Sequence, residues 1–359
     1  MKIAFISDYY HPSIGGTQML CKNIAEFFHE KNHEIEILST LDYKRNLSDY
    51  PYKIKQFDNL NLHSNNIFKN CDYDHVFMLC DLFSAPLSTV KFEDIKKSTI
   101  ILNLDENVYN WIQNGANGFN KKNVNYLVNR LKMATNVVSF CKDAPVNKFL
   151  NENGIKHHFI PNFSRDVMNS HDLSLNLKNK LNFKDKKIIF NHGNIEPRKN
   201  QLELIKSFLA SSLPNNYKMI FLGSPRTDHD AKYLNLINSF VKENDKNNDV
   251  IMIKGPNNTD LIDNCLRESD VFILPSLAEG LPLVLLEAMS AGLPWISTPC
   301  GGVPTVLGNL KSGVVLKDFT LNPHSLEESV EKIKNLSSRA DWENGFTREK
   351  SCSKYLELL

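Results

Sequence analysis

The chain of 359 residues is predicted to be an α/β protein with two Rossmann-like, doubly wound parallel-sheet domains. Short runs of branched and aromatic residues alternate with helical patterns along most of its length, as expected for parallel sheets covered by helices. The length exceeds that of a usual single domain and favours two. Residues 164–187 are rich in Ser, Asp, Asn and Lys and form the predicted linker between them.

The first domain is predicted to begin with strand Lys2–Ser7, whose apolar run is too short for a signal peptide. A helix follows, because apolar residues recur there at helical spacing and polar ones face away. The apolar positions are Leu20, Ile24, Phe27 and Phe28, and the polar positions are Lys22, Glu26 and Glu30. Further strands are predicted at Glu34–Ser39, His75–Cys80, Thr99–Leu104 and Asn136–Cys141. Residues 41–74 show weak periodicity and one candidate strand, Tyr52–Phe57.

The second domain repeats the alternation of strands and helices. Its predicted strands are Lys187–Asn191, Lys218–Leu222, Val250–Lys254, Val271–Leu274, Trp295–Ser297 and Val314–Leu316. Doubly wound sheets bind their ligands at the carboxyl ends of the strands. We therefore looked for functional residues in the loops that follow the strands.

Composition excludes several classes of function. The 42 Lys and Arg residues balance the 41 Asp and Glu residues, so a nucleic-acid partner is not expected. The seven cysteines are odd in number and lack a Cys-x-x-Cys pair, which favours reduced, buried thiols and a cytoplasmic location. No segment is long enough to cross a membrane. The lysines from Lys178 to Lys187 indicate a solvated linker or, alternatively, a peripheral contact with membrane lipid.

The most informative motif follows strand Val271–Leu274, where Glu279 and Glu287 flank a turn. Pro282 suits the first position of a helix, and the apolar residues from Leu283 to Met289 can continue it. Glu279 is then in the loop and Glu287 one turn inside the helix. The simpler interpretation is a surface acid in the loop at Glu279 and a solvated acid in the helix at Glu287, but the apolar neighbours of Glu287 make an unsatisfied carboxylate there costly.

The start of this helix is a candidate site for a nucleotide sugar. The N–H groups of Gly280 and Leu281 and the positive end of the helix dipole favour a phosphate. The carboxylates of Glu279 and Glu287 can accept hydrogen bonds from sugar hydroxyls beside it.

Three further loops carry weaker signals. Gly15 and Gly16 follow the first strand, where the backbone could approach a ligand or simply turn. Gly193, Arg198 and Lys199 follow strand Lys187–Asn191, and the two cations could hold a phosphate or lie exposed at a helix start. The third loop is the turn Gly301-Gly-Val-Pro304, where a ligand contact and a plain turn are equally compatible with the sequence.

Two acidic patterns and a histidine pair have simpler explanations than a metal or catalytic site. Asp72-Tyr-Asp74 and Asp228-His-Asp230 have the spacing of metal-binding Asp-x-Asp motifs but lie in polar segments away from a clear strand end. No metal site is predicted. His157 and His158 are better explained as part of a strand.

Together these motifs resemble the family of retaining, nucleotide-sugar-dependent glycosyltransferases numbered four in the sequence classification. The resemblance spans nearly the whole chain, and the paired-glutamate block is its most specific part. It implies two Rossmann-like domains facing across a cleft, the glycosyltransferase B-type fold. The N-terminal, acceptor-side domain is expected at 1–163 and the C-terminal, nucleotide-sugar domain at 164–344. Residues 345–359 would complete the first domain through a closing helix at Phe346–Leu359.

The resemblance also implies roles for the candidate residues. Arg198 and Lys199 would hold the donor diphosphate, Glu287 the ribose and Glu279 the transferred sugar. Gly16 would lie against the phosphate from the opposite domain. Members of the family need no metal or other cofactor and use no protein nucleophile.

The chain departs from the family pattern at three places. Asn194 stands where many members have Arg, and Phe163 where a glycine is usual. The segment Asn103-Leu-Asp-Glu106 replaces a common histidine, which makes Asp105 the candidate residue on the acceptor side.

We therefore expect a metal-independent, retaining glycosyltransferase that uses a UDP- or GDP-sugar and a hydroxyl acceptor such as a glycan. The alternatives are a nucleotide-sugar epimerase or hydrolase on the same fold, and a catalytically silent glycan- or nucleotide-sugar-binding module. A nicotinamide-dependent dehydrogenase ranks last, because neither half has the Gly-x-Gly-x-x-Gly fingerprint.

Overall fold

The computed structural model divides into two compact units, and each contains one parallel sheet. The described residues are 1–7, 10–12, 15–40, 46–57, 72–80, 92, 95–102, 121–142, 144–169, 177–181, 183, 185–255 and 259–359. The first unit comprises Met1–Asn162 and Arg348–Leu359, and the second comprises Phe163–Thr347. Two parallel-sheet, Rossmann-like domains confirm the predicted fold class. Among the described residues, no helix combines the length and apolar character needed to span a bilayer.

The first unit has a seven-stranded sheet with strand order β3-β2-β1-β4-β5-β6-β7. Its strands are β1 (Lys2–Ile6), β2 (Glu34–Thr40), β3 (Lys53–Phe57), β4 (His75–Cys80), β5 (Ser98–Leu102), β6 (Asn136–Ser139) and β7 (His158–Phe159). The described helices before the C-terminal segment are α1 (Gly16–Glu30), α2 (Lys121–Met133) and α3 (Pro145–Glu152). All neighbouring strands run parallel. The predicted strands are therefore present, including the candidate β3.

Several predicted strand boundaries in this unit differ from those in the structure. β6 ends at Ser139 and not at Cys141, because the Ser139 hydroxyl accepts a hydrogen bond from the Cys141 N–H and turns the chain. Of the two adjacent histidines only His158 is in β7, while the His157 ring contacts Asn147 and Ile155 beside it.

Helix α1 buries the face that its sequence predicts. Leu20, Ile24, Phe27 and Phe28 are all less than 5% exposed. On the other side Lys22 donates a hydrogen bond to Glu26 over 2.5 Å. The apolar spacing of this helix thus determines which side packs on the sheet.

The second unit has a six-stranded parallel sheet with strand order β10-β9-β8-β11-β12-β13. Its strands are β8 (Lys187–His192), β9 (Tyr217–Gly223), β10 (Val250–Lys254), β11 (Val271–Leu274), β12 (Trp295–Ser297) and β13 (Gly313–Val315). Its described helices are α4 (Leu177–Lys180), α5 (Gln201–Leu209), α6 (Asp228–Asn244), α7 (Thr259–Glu268), α8 (Leu283–Ser290), α9 (Pro323–Ile333) and α10 (Arg339–Gly345). The order reverses between β8 and β11, so the crevice for a ligand lies at their carboxyl ends.

The two faces of this sheet are covered by different helices. Ile189 on β8 and Ile273 on β11 belong to the apolar core that also contains Leu204 of α5, Ile237 of α6 and Leu326 of α9. Side chains alternate along a strand, so Phe190 and His192 point to the opposite face. Helices α7 and α8 contact the sheet there, on β8, β11 and β12.

The segment predicted as a linker is instead packed on the second unit over its described part. Val167 is fully buried, and its N–H donates to the Ser290 hydroxyl over 3.2 Å. The N–H of Leu177 donates to Glu268 over 2.7 Å. Two lysines of the predicted solvated cluster also form ion pairs, Lys178 with Asp270 and Lys186 with Asp249. Composition alone misses these contacts, since their partners lie far along the chain.

The last helix, α11 (Arg348–Leu356), returns to the first unit, as predicted. It begins two residues later than expected, because Thr347 still pairs with Ser164 in the second unit. The guanidinium of Arg348 donates to both carboxylate oxygens of Glu30 on α1, at 3.0 and 2.9 Å.

Candidate functional site

The loop after β8 brings two cations to the switch point of the second sheet. Gly193 has φ +151°, in a region that favours glycine, and its N–H donates to the Leu222 carbonyl over 3.1 Å. A short 3₁₀ turn at Pro197–Lys199 follows. Asn200 then adopts φ +57°, a left-handed conformation that asparagine tolerates, and α5 begins at the next residue. The chain is thereby folded back over the sheet edge.

The loop after β11 lies against the loop after β8. The Leu277 N–H donates to the Arg198 carbonyl over 2.8 Å, and the Arg198 guanidinium donates to the Ala278 carbonyl over 2.6 Å. Helix α8 begins at Leu283. Pro282 was predicted at the first helical position but is the capping residue, because its ψ of 120° is extended while its carbonyl already accepts from the Leu285 N–H.

Lys199 and Glu279 form a largely buried ion pair that joins the two loops. The Lys199 ammonium donates to the Glu279 carboxylate over 2.5 Å, and their side chains are only 13% and 10% exposed. Burial alone would raise the pKa of Glu279, but the charges of Lys199 and Arg198 outweigh it and hold that pKa below its usual value. Glu279 is thus an ionised hydrogen-bond acceptor at neutral pH.

Arg198 is held by its own loop and by the loop opposite. Its guanidinium donates to Glu196 over 2.7 Å and lies 3.6 Å from the second oxygen of Glu279. Two cations therefore face two carboxylates in this part of the site. A phosphate can bind here only if the cations contact it while keeping their carboxylate partners, because a displaced Glu279 would be a buried, unpaired charge.

Glu287 is paired with an arginine that the sequence analysis missed. The Arg165 guanidinium donates to Glu287 over 3.3 Å and also forms an ion pair with Asp263 on α7. Burial raises the pKa of Glu287, and the nearby Asp263 raises it further, while Arg165 opposes the rise. The net result is a pKa above the usual value. The predicted cost of a carboxylate among apolar neighbours is therefore real, and Arg165 offsets part of it.

The turn Gly301-Gly-Val-Pro304 supports the Glu279 loop from behind. Gly301 has φ +54°, and a Cβ there would come within 2.1 Å of the Glu279 and Gly280 carbonyl oxygens. The Gly302 N–H donates to the Gly280 carbonyl over 2.8 Å. Gly301 is thus required both by its conformation and by close contact with the glutamate loop.

The remaining candidates belong to the sequence of the first unit. Gly15 and Gly16 mark the N-terminus of α1 in the first unit, and Gly15 has an extended backbone that any residue can adopt. The phosphate contact assigned to Gly16 stays a prediction. Asp105 lies outside the described residues, so its acceptor-side role also stays a prediction.

Both discarded Asp-x-Asp patterns have structural partners. Asp72 forms an ion pair with Lys2, and Asp230 accepts the Thr227 N–H at the start of α6. Across the part of the chain described by the structure, no three His, Cys, Asp or Glu side chains converge as metal ligands.

Sequence reasoning missed Arg165, Asp263 and His192. Arg165 lay in the presumed linker, and Asp263 gave no signal because it is one of many polar residues on a helix. His192 directly follows the predicted strand Lys187–Asn191 and gave no motif of its own, but the structure makes it the last residue of β8, at the sheet edge.

Comparison with known proteins finds similarity to glycosyltransferases. Residues 174–346 match the sequence profile of the family "Glycosyl transferases group 1". An Escherichia coli UDP-Gal:alpha-D-GlcNAc-diphosphoundecaprenol alpha-1,3-galactosyltransferase is 30% identical over 175 residues, which are 46% of this chain and 43% of that protein. An uncharacterized glycosyltransferase of Methanocaldococcus jannaschii is 22% identical over 93% of this chain and 89% of its own length. The chain thus spans less than half of the first relative.

Solved structures of low sequence identity share the fold of this chain. Anabaena HepE in complex with UDP superposes with a TM-score of 0.79 at 16% identity, covering 99% of each chain. Sucrose-phosphate synthase from Thermosynechococcus elongatus gives 0.75 at 14% identity, covering 99% of this chain and 98% of that one. At such low identity the likeness establishes the fold alone.

Proposed function

We propose that this chain, whose residues 174–346 match the family "Glycosyl transferases group 1", is a retaining glycosyltransferase that moves a sugar from a UDP- or GDP-sugar to a hydroxyl acceptor. The observation that carries the proposal is the buried pair of Lys199 and Glu279 at the switch point of the second sheet. A cation and an ionised acceptor fixed side by side match a ligand with a phosphate next to a polyol.

The charges around Lys199 support the proposed binding mode. An ammonium has three donors, and Lys199 uses one on Glu279, which leaves donors for the diphosphate. Arg198 adds a second cation, and the N-terminus of α8 adds a positive dipole end. Together they would stabilise the negative charge that develops on the departing nucleotide. Glu279 would hold hydroxyls of the transferred sugar, and Glu287 those of the ribose.

We further propose that the reaction needs no metal and no protein nucleophile. The low pKa of Glu279 and its contact with Lys199 keep this carboxylate ionised, so its proposed role is to accept hydrogen bonds from sugar hydroxyls. The leaving phosphate oxygen would then help to deprotonate the acceptor on the same face of the sugar, which retains the anomeric configuration.

The donor and acceptor are proposed from the relatives. The galactosyltransferase carries UDP-Gal and a lipid-linked diphosphate sugar in its name, and HepE was solved with UDP. These favour UDP over GDP and a glycan or glycoconjugate under assembly as acceptor. We place the reaction in the cytoplasm, at the inner face of the membrane if the acceptor is lipid-linked.

Donor turnover in three variants tests the proposal. Glu279→Gln and Lys199→Ala should each lower turnover of UDP- or GDP-sugars by about 100-fold or more, since each removes a group that contacts transition-state charge or the reacting sugar. Lys206→Ala is the matched control, because Lys206 forms an exposed ion pair with Glu203 on α5 over 2.7 Å. It should behave as wild type.

Other outcomes identify the alternatives. Wild-type turnover in Glu279→Gln and Lys199→Ala would contradict the assigned roles. Consumption of donor without any acceptor would indicate an epimerase or hydrolase. Tight nucleotide-sugar binding without turnover, across a broad acceptor panel, would indicate a silent binding module.

A further inference from the structure

We propose that His192 is a hydrogen-bond acceptor for a ligand hydroxyl, and thus a specificity-determining residue of the site that holds Lys199 and Glu287. This inference rests on the proposed function, because the ligand hydroxyl belongs to the nucleotide sugar. His192 is the last residue of β8, next to the switch point of the sheet.

One hydrogen bond fixes the proton on the His192 ring. Nδ1 lies 2.9 Å from the Leu222 carbonyl oxygen. A carbonyl oxygen can only accept, so Nδ1 carries the proton and Nε2 presents a lone pair. Nε2 has no hydrogen-bond partner within the described part of the chain, and the residue is partly exposed. Among the residues that the structure describes, nothing therefore occupies this lone pair.

The ring is also held in place and kept neutral. It lies parallel to the Phe190 ring, with 6.3 Å between centroids. Burial lowers the pKa of His192 to about 4, and the charges of Lys199 and Arg165 add to the lowering. At neutral pH the imidazole is thus an uncharged acceptor that feels the charges of Lys199 and Arg165.

The position of His192 connects the two halves of the site. Its side chain is on the sheet face covered by α7 and α8, where Arg165 joins Asp263 to Glu287. A Cβ built on the next residue, Gly193, would lie 3.9 Å from the Lys199 side chain. His192 therefore lies beside the places proposed for the diphosphate and the ribose.

The lone pair restricts what can bind next to it. Oxygens of an ionised diphosphate carry no proton and would be repelled by Nε2, whereas a hydroxyl can donate to it. Hydroxyls of this kind come from the ribose or from the transferred sugar. A site built to bond a hydroxyl discriminates strongly against a ligand that lacks it.

Two substitutions separate the lone pair from the shape of the ring. His192→Phe keeps a planar ring beside Phe190 but removes the acceptor, while His192→Gln keeps an acceptor and removes the ring. Calorimetric titration with UDP, UDP-glucose, GDP and GDP-glucose measures the effect. His229→Phe is the control, because the His229 side chain is 78% exposed at the start of α6.

The expected loss in His192→Phe is about tenfold in affinity, the effect of one neutral hydrogen bond. His192→Gln should recover to within about threefold of wild type. If affinity is already lost for UDP or GDP, the hydroxyl that His192 contacts belongs to the ribose. If affinity is lost only for UDP-glucose or GDP-glucose, the hydroxyl belongs to the transferred sugar. Wild-type affinity in His192→Phe, or equal losses in both variants, would overturn the inference.

The proton position can be read without any ligand. Nitrogen-correlated NMR of wild-type protein should show His192 as the Nδ1–H tautomer and neutral at pH 6. An Nε2–H tautomer, or a charged ring at that pH, would overturn the inference even if His192→Phe fails to fold. If the wild-type protein binds none of the four nucleotides, the proposed function fails. The NMR measurement of the tautomer still tests the inference about His192 in that case, because it needs no ligand.

Discussion

Removing Lys199 should leave the Glu279 carboxylate buried with only part of the positive charge that offsets the cost of its burial. In Lys199→Met the carboxylate keeps Arg198 at 3.6 Å but loses the ammonium at 2.5 Å, in surroundings where its side chain is 10% exposed. Breaking a buried pair by removing one partner costs about 3–5 kcal/mol. Because Arg198 remains, we expect the lower end, about 3 kcal/mol of unfolding free energy.

A double variant tests whether that cost comes from the orphaned charge. Adding Glu279→Gln to Lys199→Met removes the charge that has lost its partner, and should restore about 2 kcal/mol. Lys206→Met, at the exposed pair on α5, should change stability by less than about 0.5 kcal/mol.

Urea unfolding followed by tryptophan fluorescence suits this measurement. Trp295 and Trp342 are both buried in the second unit, so their emission reports on the unit that contains the pair. Additive losses in the double variant would refute the reasoning, since independent side chains would then account for both effects. A loss below about 1 kcal/mol in Lys199→Met would refute it as well.

Three further predictions concern the surroundings of this pair. Because the folded-state pKa of His192 is lowered to about 4 from 6.5, the unfolded chain binds more protons between those values. The unfolding free energy should therefore fall by about 1.4 kcal/mol per pH unit on acidification through that window. In His192→Gln, urea titrations at several pH values should show a pH dependence of the unfolding free energy that is smaller by that amount. An unchanged pH dependence would contradict the lowered pKa. Arg165→Met should lower the free energy of unfolding, measured in urea, by about 3 kcal/mol, and adding Glu287→Gln should restore part of it. If Glu287→Gln restores nothing, the ion pair is not the source of the loss. Gly301→Ala should lower the free energy of unfolding by about 2 kcal/mol or more and weaken UDP binding, because Gly301 has a left-handed backbone and touches the glutamate loop. Gly345→Ala is the control and should have little effect, because a Cβ there meets no atom within 4 Å. Equal effects in both variants would contradict the argument.

Most of the fold was predictable from local sequence patterns. Strands such as Val250–Lys254 and Val271–Leu274 are found where predicted, because fully buried parallel strands require unbroken apolar runs. Helix α1 was predictable because its apolar spacing alone identifies the buried side. The strand order was less accessible, since it depends on pairings between distant segments.

The candidate site was only partly predictable. Glu279, Arg198 and Lys199 were identified because turn and helix-start signals place them at strand ends, and the structure brings them together. Arg165 was missed because its segment has a linker-like composition, and its partners lie about a hundred residues away in sequence. No local periodicity reports such a contact.

The structure of the protein with UDP-glucose bound tests the central claim most directly. The account predicts diphosphate oxygens within hydrogen-bond distance of Lys199 and hydroxyls of the ligand on Glu279 and Glu287. A ligand bound away from the carboxyl ends of β8 and β11, or one whose phosphates do not contact Lys199, would contradict it.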